Sequence, residues 1–277
     1  MANAPTKPTT PVKKESSSAS GMFATFTIPI CLVVAILIFI FILGDPSHYE
    51  GGDVEKGIPD LLGTVHRGGI IVPLIMTYLL TVIIFSIERF VVIGKASGSG
   101  SVDGFVRKIQ GHLNAGNIDA AIAECDKQKG SVANVIKSGL KKYREMETET
   151  SLDVEQRTLA IQKDIEEATS LEMPMLEQNL TVIATLVSIG TLTGLLGTVI
   201  GMIRAFAALA TSGAPNTTAL STAISEALIN TALGIGTSAI SIVMYNVFTS
   251  KIDKLTYAID ETGFSLVQTF AASHKSK

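Results

Sequence analysis

The chain has 277 residues, 47% of them apolar and 17% charged, with a net charge of −3. A mean hydropathy of +0.40 and so few charges exclude an ordinary soluble domain, where roughly 25% of residues are charged. They also give no basic surface for nucleic acid. Its two cysteines exclude a disulfide framework, and no His/Cys spacing suits a metal.

Residues 1–25 are rich in Lys, Thr, Pro and Ser and read as a disordered cytoplasmic tail. A first apolar run, residues 26–44, contains no charge and is long enough to cross a bilayer. Its apolar core is too long for a cleaved signal peptide, and no A-x-A-like site follows, so a retained helix is predicted. Residues 45–69 hold six glycines and five carboxylates against Lys56 and Arg67, and read as a periplasmic loop. A second span covers residues 70–93, with Glu88 and Arg89 closing its apolar stretch.

Residues 94–178 form a helical cytoplasmic domain that follows a Gly/Ser linker. Phe105, Ile109, Leu113 and then Ile118, Ala121, Ile122, Cys125 recur at helical spacing. Asn117 is a predicted N-cap, and Ser131 is placed likewise before Val132, Val135, Ile136 and Leu140. A long amphipathic stretch from about Ser151 runs into the third span, with Pro174 expected to kink it rather than end it. Residues 179–249 form a membrane hairpin turning near Pro215. Residues 250–277 continue the fourth span as a cytoplasmic helical tail through Leu255, Ile259 and Phe264. All of the 22 basic residues except Lys56, Arg67 and Arg204 fall on one side of this four-span arrangement, which predicts cytoplasmic termini. The expected fold is an all-α membrane protein with four transmembrane helices, two of them extended into the helical domain. Membrane lipid is then a necessary partner.

Chemistry concentrates in the hairpin. Thr198 lies seventeen residues before Pro215 and Thr231 sixteen after it. At ~1.5 Å per residue both hydroxyls sit roughly 25 Å from the turn. Polar groups at matched depth suggest a path for an ion. Ser188, Thr191, Leu195, Thr198, Met202 and Ala205 share one helix face, as do Ala227, Thr231, Gly234, Ser238, Ser241 and Tyr245. Ser188, Thr191 and Ser238 extend the candidate pathway. Gly194, Gly197, Gly201 and Gly234 suit close helix packing. Arg204 and Glu226 each lie eleven residues from Pro215 and are predicted to pair, within or between subunits. The string from Gly194 to Gly201 is spaced somewhat like a phosphate loop, but it lacks the lysine and the preceding strand. No Ser/His/Asp cluster exists, and no enzymatic activity is expected.

The strings Gly194-Leu-Leu-Gly-Thr-Val-Ile-Gly-Met-Ile-Arg-Ala-Phe206 and Ile224-Ser-Glu-Ala-Leu-Ile-Asn-Thr-Ala-Leu-Gly234, then Tyr245-Asn246 and Glu88-Arg89, resemble the MotA/TolQ/ExbB ion-channel family, nearest to ExbB. The resemblance covers roughly residues 68 to 265. It implies a homopentamer around a pore, with a dimeric ExbD-like single-span partner whose aspartate carries the proton. Thr198 and Thr231 fall on the family's pore threonines and Glu226 on its glutamate. The ion would be a proton or sodium, with no cofactor, and the work would pass to a TonB-like protein that energises outer-membrane transport from the inner membrane. Thr191 and Ile240 stand where the family often has prolines, and the first span exceeds the three-helix pattern of ExbB and TolQ. A TolQ-like, gliding-type or flagellar-type stator and a non-conducting scaffold are the rival readings. A small-solute transporter would need an inverted repeat that this chain lacks.

Overall fold

The structure is a computed structural model and describes residues 17–54, 57–211 and 217–274. Among these residues it is all-helical: α1 (Ser17–Leu37), α2 (Leu61–Arg67), α3 (Ile71–Ala96), α4 (Val102–Asn114), α5 (Ile118–Gln128), α6 (Gly130–Thr148), α7 (Val154–Glu177), α8 (Leu180–Thr211) and α9 (Thr217–His274). Four helical stretches are long and apolar enough to cross a membrane, at residues 25–43, 71–96, 154–207 and 220–274.

The first span packs through a stripe of small residues. Thr27, Cys31 and Ala35 recur every four positions and are buried, while Ile30, Val33, Leu37 and Phe41 face outward. Such a helix is satisfied by lipid on one side and by α3, against which it packs, on the other. It ends in a π-helical turn, Ile38–Leu43. Gly44 follows, where any Cβ would lie 2.7 Å from Ile40 O.

The described residues of the 45–69 segment, expected as a plain loop, form a folded cap. Asp60 is the N-cap of α2, its carboxylate accepting from Gly63 N at 2.9 Å. His48 Nδ1 meets Asp60 Oδ2 at 2.9 Å, and Tyr49 OH meets His66 Nδ1 at 2.8 Å. Arg67 Nη2 donates to Gly57 O at 2.7 Å. Backbone bonds from Glu50 N to Ile58 O and from Asp60 N to His48 O join these side-chain contacts in tying the irregular chain to itself.

The helical domain forms one core. Phe105, Ile109, Leu113, Ile136, Leu140 and Ile161 are buried with Phe248, Ile252, Leu255 and Phe270 of α9. The long α9 thus joins the membrane hairpin to this core. Asn117 caps α5 as expected, accepting from Ala120 N at 3.1 Å. Ser131 does not cap α6, which begins at Gly130 after Lys129 at φ 57. This junction is pressed against the end of α3, where a Cβ on Gly130 would sit 2.4 Å from Ala96 O.

Pro174 does not set the break before the third span. It lies inside α7, and the chain breaks four residues later, at Gln178–Asn179, with Asn179 in the left-handed region at φ 63. Asn tolerates that conformation better than most residues. The break deprives the Met175 and Leu176 carbonyls of their intrahelical donors. Arg89, 1% exposed, replaces them: its Nη1 donates to Met175 O at 3.0 Å and to Leu176 O at 3.2 Å. Glu88 pairs with Arg89 and accepts from Asn179 Nδ2. A motif at the end of the second span therefore clamps the joint between α7 and α8.

Candidate functional site

The α8–α9 hairpin is held at close range by glycine. A Cβ on Gly194 would lie 3.0 Å from Asn230 O, one on Gly201 2.7 Å from Ala227 Cβ, and one on Gly234 2.6 Å from Gly190 O. Gly197 faces Asn230 in the same way, at 2.5 Å. No larger residue fits along this seam without moving the helices apart.

The close approach brings hydroxyls together. Thr198 Oγ1 and Thr231 Oγ1 share a hydrogen bond across the seam. Both also reach the Gly194 carbonyl, at 3.3 and 3.1 Å. Two hydroxyls around one carbonyl form a small polar centre in which either proton can turn from carbonyl to neighbour. Seven residues along α8, ~10 Å away, Thr191 Oγ1 donates to Ser238 Oγ at 2.8 Å. Four of the expected pathway residues thus make two stacked hydroxyl pairs. Ser188 is exposed and joins neither.

Beside Thr198 lies an open apolar hollow of 350 Å³, formed by Val199, Met202, Ile203 and Phe206. Leu192, Leu195, Val199, Ile203 and Phe206 leave much of α8 uncovered in the single chain. A helix of this composition needs further apolar partners, protein or lipid.

Glu226 and Arg204 do not form the expected ion pair within one chain: among the described residues, neither takes part in a salt bridge. Arg204 Nη1 lies over Gly69, while Glu226 is half-buried at a cleft facing the cap. Pairing between neighbouring copies is the form in which that expectation stands.

The sequence reading passed over Asn230. Its side chain is 3% exposed, and its Nδ2 donates to Gly68 O at 2.9 Å while its Oδ1 is buried with no hydrogen-bond partner. An amide in an apolar span is expensive and needs a reason; here it ties α9 to the chain entering α3.

Residues 127–261, which include α6, α7, α8 and most of α9, match the MotA/TolQ/ExbB proton channel family. The match covers just under half of the chain. Both hydroxyl pairs fall inside the matched residues, and the cap falls outside them. The chain is 35% identical over 88 residues to a biopolymer transport protein, ExbB-like 3, of Synechocystis sp., covering 31% of this chain and 42% of that protein. It is 24% identical over 196 residues to the Tol-Pal system protein TolQ of Pseudomonas aeruginosa, covering 69% of this chain and 84% of that protein.

Proposed function

We propose that this chain is the ring-forming subunit of an inner-membrane, proton-driven motor of the ExbB type. The observation that carries the reading is the Thr198–Thr231–Gly194 centre inside the family-matched hairpin. In this reading several copies, five by the family's pattern, surround a pore, and both termini are cytoplasmic. An ExbD-like partner contributes one helix per copy and the carboxylate that carries the proton. The hairpin offers hydroxyls but no carboxylate at that depth, so a partner must bring the titrating group. The apolar hollow beside Thr198 is where such a helix would lie. The threonine hydroxyls would hydrogen-bond the carboxylate as it gains and loses its proton, and lower the cost of its burial. Motion of the partner would be passed to a TonB-like protein that energises outer-membrane transport.

A TolQ-like role is the second reading, favoured by the long match to the TolQ relative. One experiment tests the shared core. The chain is purified with its single-span partner, its mass is measured, and proton flux is followed in vesicles. A multimer enclosing the partner and conducting protons is expected. An assembled complex with no flux under a pH gradient would leave only a scaffold. Loss of TonB-dependent uptake on deletion, against loss of envelope integrity, then separates the ExbB-type from the TolQ-type role.

A further inference from the structure

The unit formed by α1, its π-helical turn, the 45–69 segment and α2 lies outside the matched residues, yet it is fastened to the hairpin. Asn230 holds Gly68, and Arg204 reaches over Gly69. Between the cap and α9 lies a cleft of 190 Å³, lined by Thr64 and Arg67 from the cap and by Ser221, Thr222, Ser225 and Glu226 from α9. Four hydroxyls, one carboxylate and one guanidinium converge there. Arg67 is set in place by the cap itself: it donates to Gly57 O, and its guanidinium lies 5.5 Å from the centre of the Tyr49 ring. Tyr49 is buried and hydrogen-bonded to His66. Glu226 is five residues from Thr231, ~7.5 Å along the helix.

We infer that this cleft is the inlet through which the transported monovalent cation reaches the hairpin, and that Arg67 sets its preference for protons over metal cations. The inference rests on the channel reading and deepens it. A proton crosses such a cleft by exchange among water, hydroxyls and a carboxylate, without residing as a free ion beside the guanidinium. A sodium ion must shed part of its water shell next to a charge that does not titrate. A fixed arginine raises an electrostatic barrier to any cation that must reside beside it as a free charge, and exchange through hydroxyls and the Glu226 carboxylate is a route open to the proton alone. A unit charge several ångströms away in a partly screened site alters cation occupancy about tenfold.

The full complex with the single-span partner is placed in vesicles and driven first by a pH gradient in sodium-free buffer, then by a sodium gradient at equal pH. Wild-type complex is expected to respond to the first and not the second. Arg67→Gln is expected to raise the ratio of sodium to proton flux about tenfold, while Arg67→Lys, which keeps the charge, holds the wild-type ratio. Wild-type complex that passes sodium as readily as protons, or an unmoved ratio in Arg67→Gln, overturns the inference. A ratio that rises equally in Arg67→Lys also overturns it, since Arg67 would then act only by holding the loop. Wild-type and Thr198→Val flux in the same vesicles separates the two readings. Absent proton flux through the assembled wild-type complex defeats the channel reading itself; full wild-type flux that Thr198→Val lowers, with an unmoved Arg67→Gln ratio, defeats only the inlet.

Discussion

At the scale of the residue, Asn230 is a buried polar group of the hairpin that is only half satisfied. Asn230 donates to Gly68 O but leaves its own oxygen unpartnered. Asn230→Ala removes the orphan oxygen but leaves Gly68 O without its donor, so a loss of about 1–3 kcal/mol is expected. Asn230→Asp must either bury an unpaired carboxylate against Gly68 O or take up a proton to restore the donor, so at neutral pH it should cost more than alanine. Thermal denaturation in detergent ranks the two, and an aspartate variant as stable as wild type would contradict the assignment. Cys125 makes a different prediction. Burial, with Asp126 adding to it, pushes its thiol up to about 12. The thiolate is therefore absent at neutral pH, and maleimide should label Cys125 only after denaturation; rapid labelling of the folded protein would contradict its place in the core.

At the scale of the element, two devices govern how the membrane helices join the rest. The first is the Arg89 clamp on the α7–α8 break. Arg89→Ala would strand the Met175 and Leu176 carbonyls together with the Glu88 carboxylate. Removing one partner of a buried pair costs about 3–5 kcal/mol. Arg89→Lys has one point charge for two carbonyls and a carboxylate, and should recover part of the loss. Amide exchange in residues 172–182 should accelerate in both variants, and more in alanine; unchanged exchange would show that the break needs no clamp.

The second device is the cap. Burial against the Phe39 ring (centroids 4.6 Å apart), and then the charge of Arg67, lower the His66 pKa from its ordinary 6.5. Tyr49, whose hydroxyl faces His66, has its own pKa raised by burial. A base held neutral in the fold adds no pH dependence above pH 6.5. Below it the unfolded segment takes the proton first, and stability is lost as pH falls towards the lowered folded value. Asp60 is pulled down by the Gly63 N–H and by His48, so its contribution is lost only below the carboxylate's ordinary 3.8. The cap is thus expected to loosen first at His66. Exchange in residues 45–69, corrected for intrinsic rates, should rise between about pH 7.5 and pH 5.5. His66→Gln should abolish that rise, and a persistent rise would place the sensitive group elsewhere.

At the scale of the whole molecule, the parts legible in the sequence are those with a period or a symmetry. Four spans follow from uninterrupted apolar runs, and the pairing of Thr198 with Thr231 from their nearly equal distances to Pro215. The helical domain follows from Phe105, Ile109 and Leu113 recurring at helical spacing. The cap was not legible. Its bonds join residues ten to seventeen positions apart along irregular chain, as Tyr49 to His66 and Arg67 to Gly57, and no periodicity announces them. The α7–α8 break was not legible: a continuous helix kinked at Pro174 was expected, and the group that permits the break at Gln178–Asn179, Arg89, comes from another helix. Ser131 resembled a cap by residue type alone, whereas close contact between the α3 end and Gly130 fixes where α6 begins. Arg204 and Glu226 are symmetric in sequence but are drawn apart, Arg204 over Gly69 and Glu226 to the cleft.

The central claim is that the Thr198–Thr231 centre carries a proton pathway and is more than helix packing. Valine keeps the volume of threonine and removes only the hydroxyl, so Thr198→Val and Thr231→Val should leave the seam closed and the complex assembled. The deciding measurement is proton flux per assembled complex in vesicles under a fixed pH gradient. Both variants are expected to lose at least tenfold, about 1.4 kcal/mol of stabilisation for the carboxylate in transit, with the mass of the complex unchanged. Wild-type flux in both valine variants, with the complex intact, would contradict the account and return the two hydroxyls to a purely structural role.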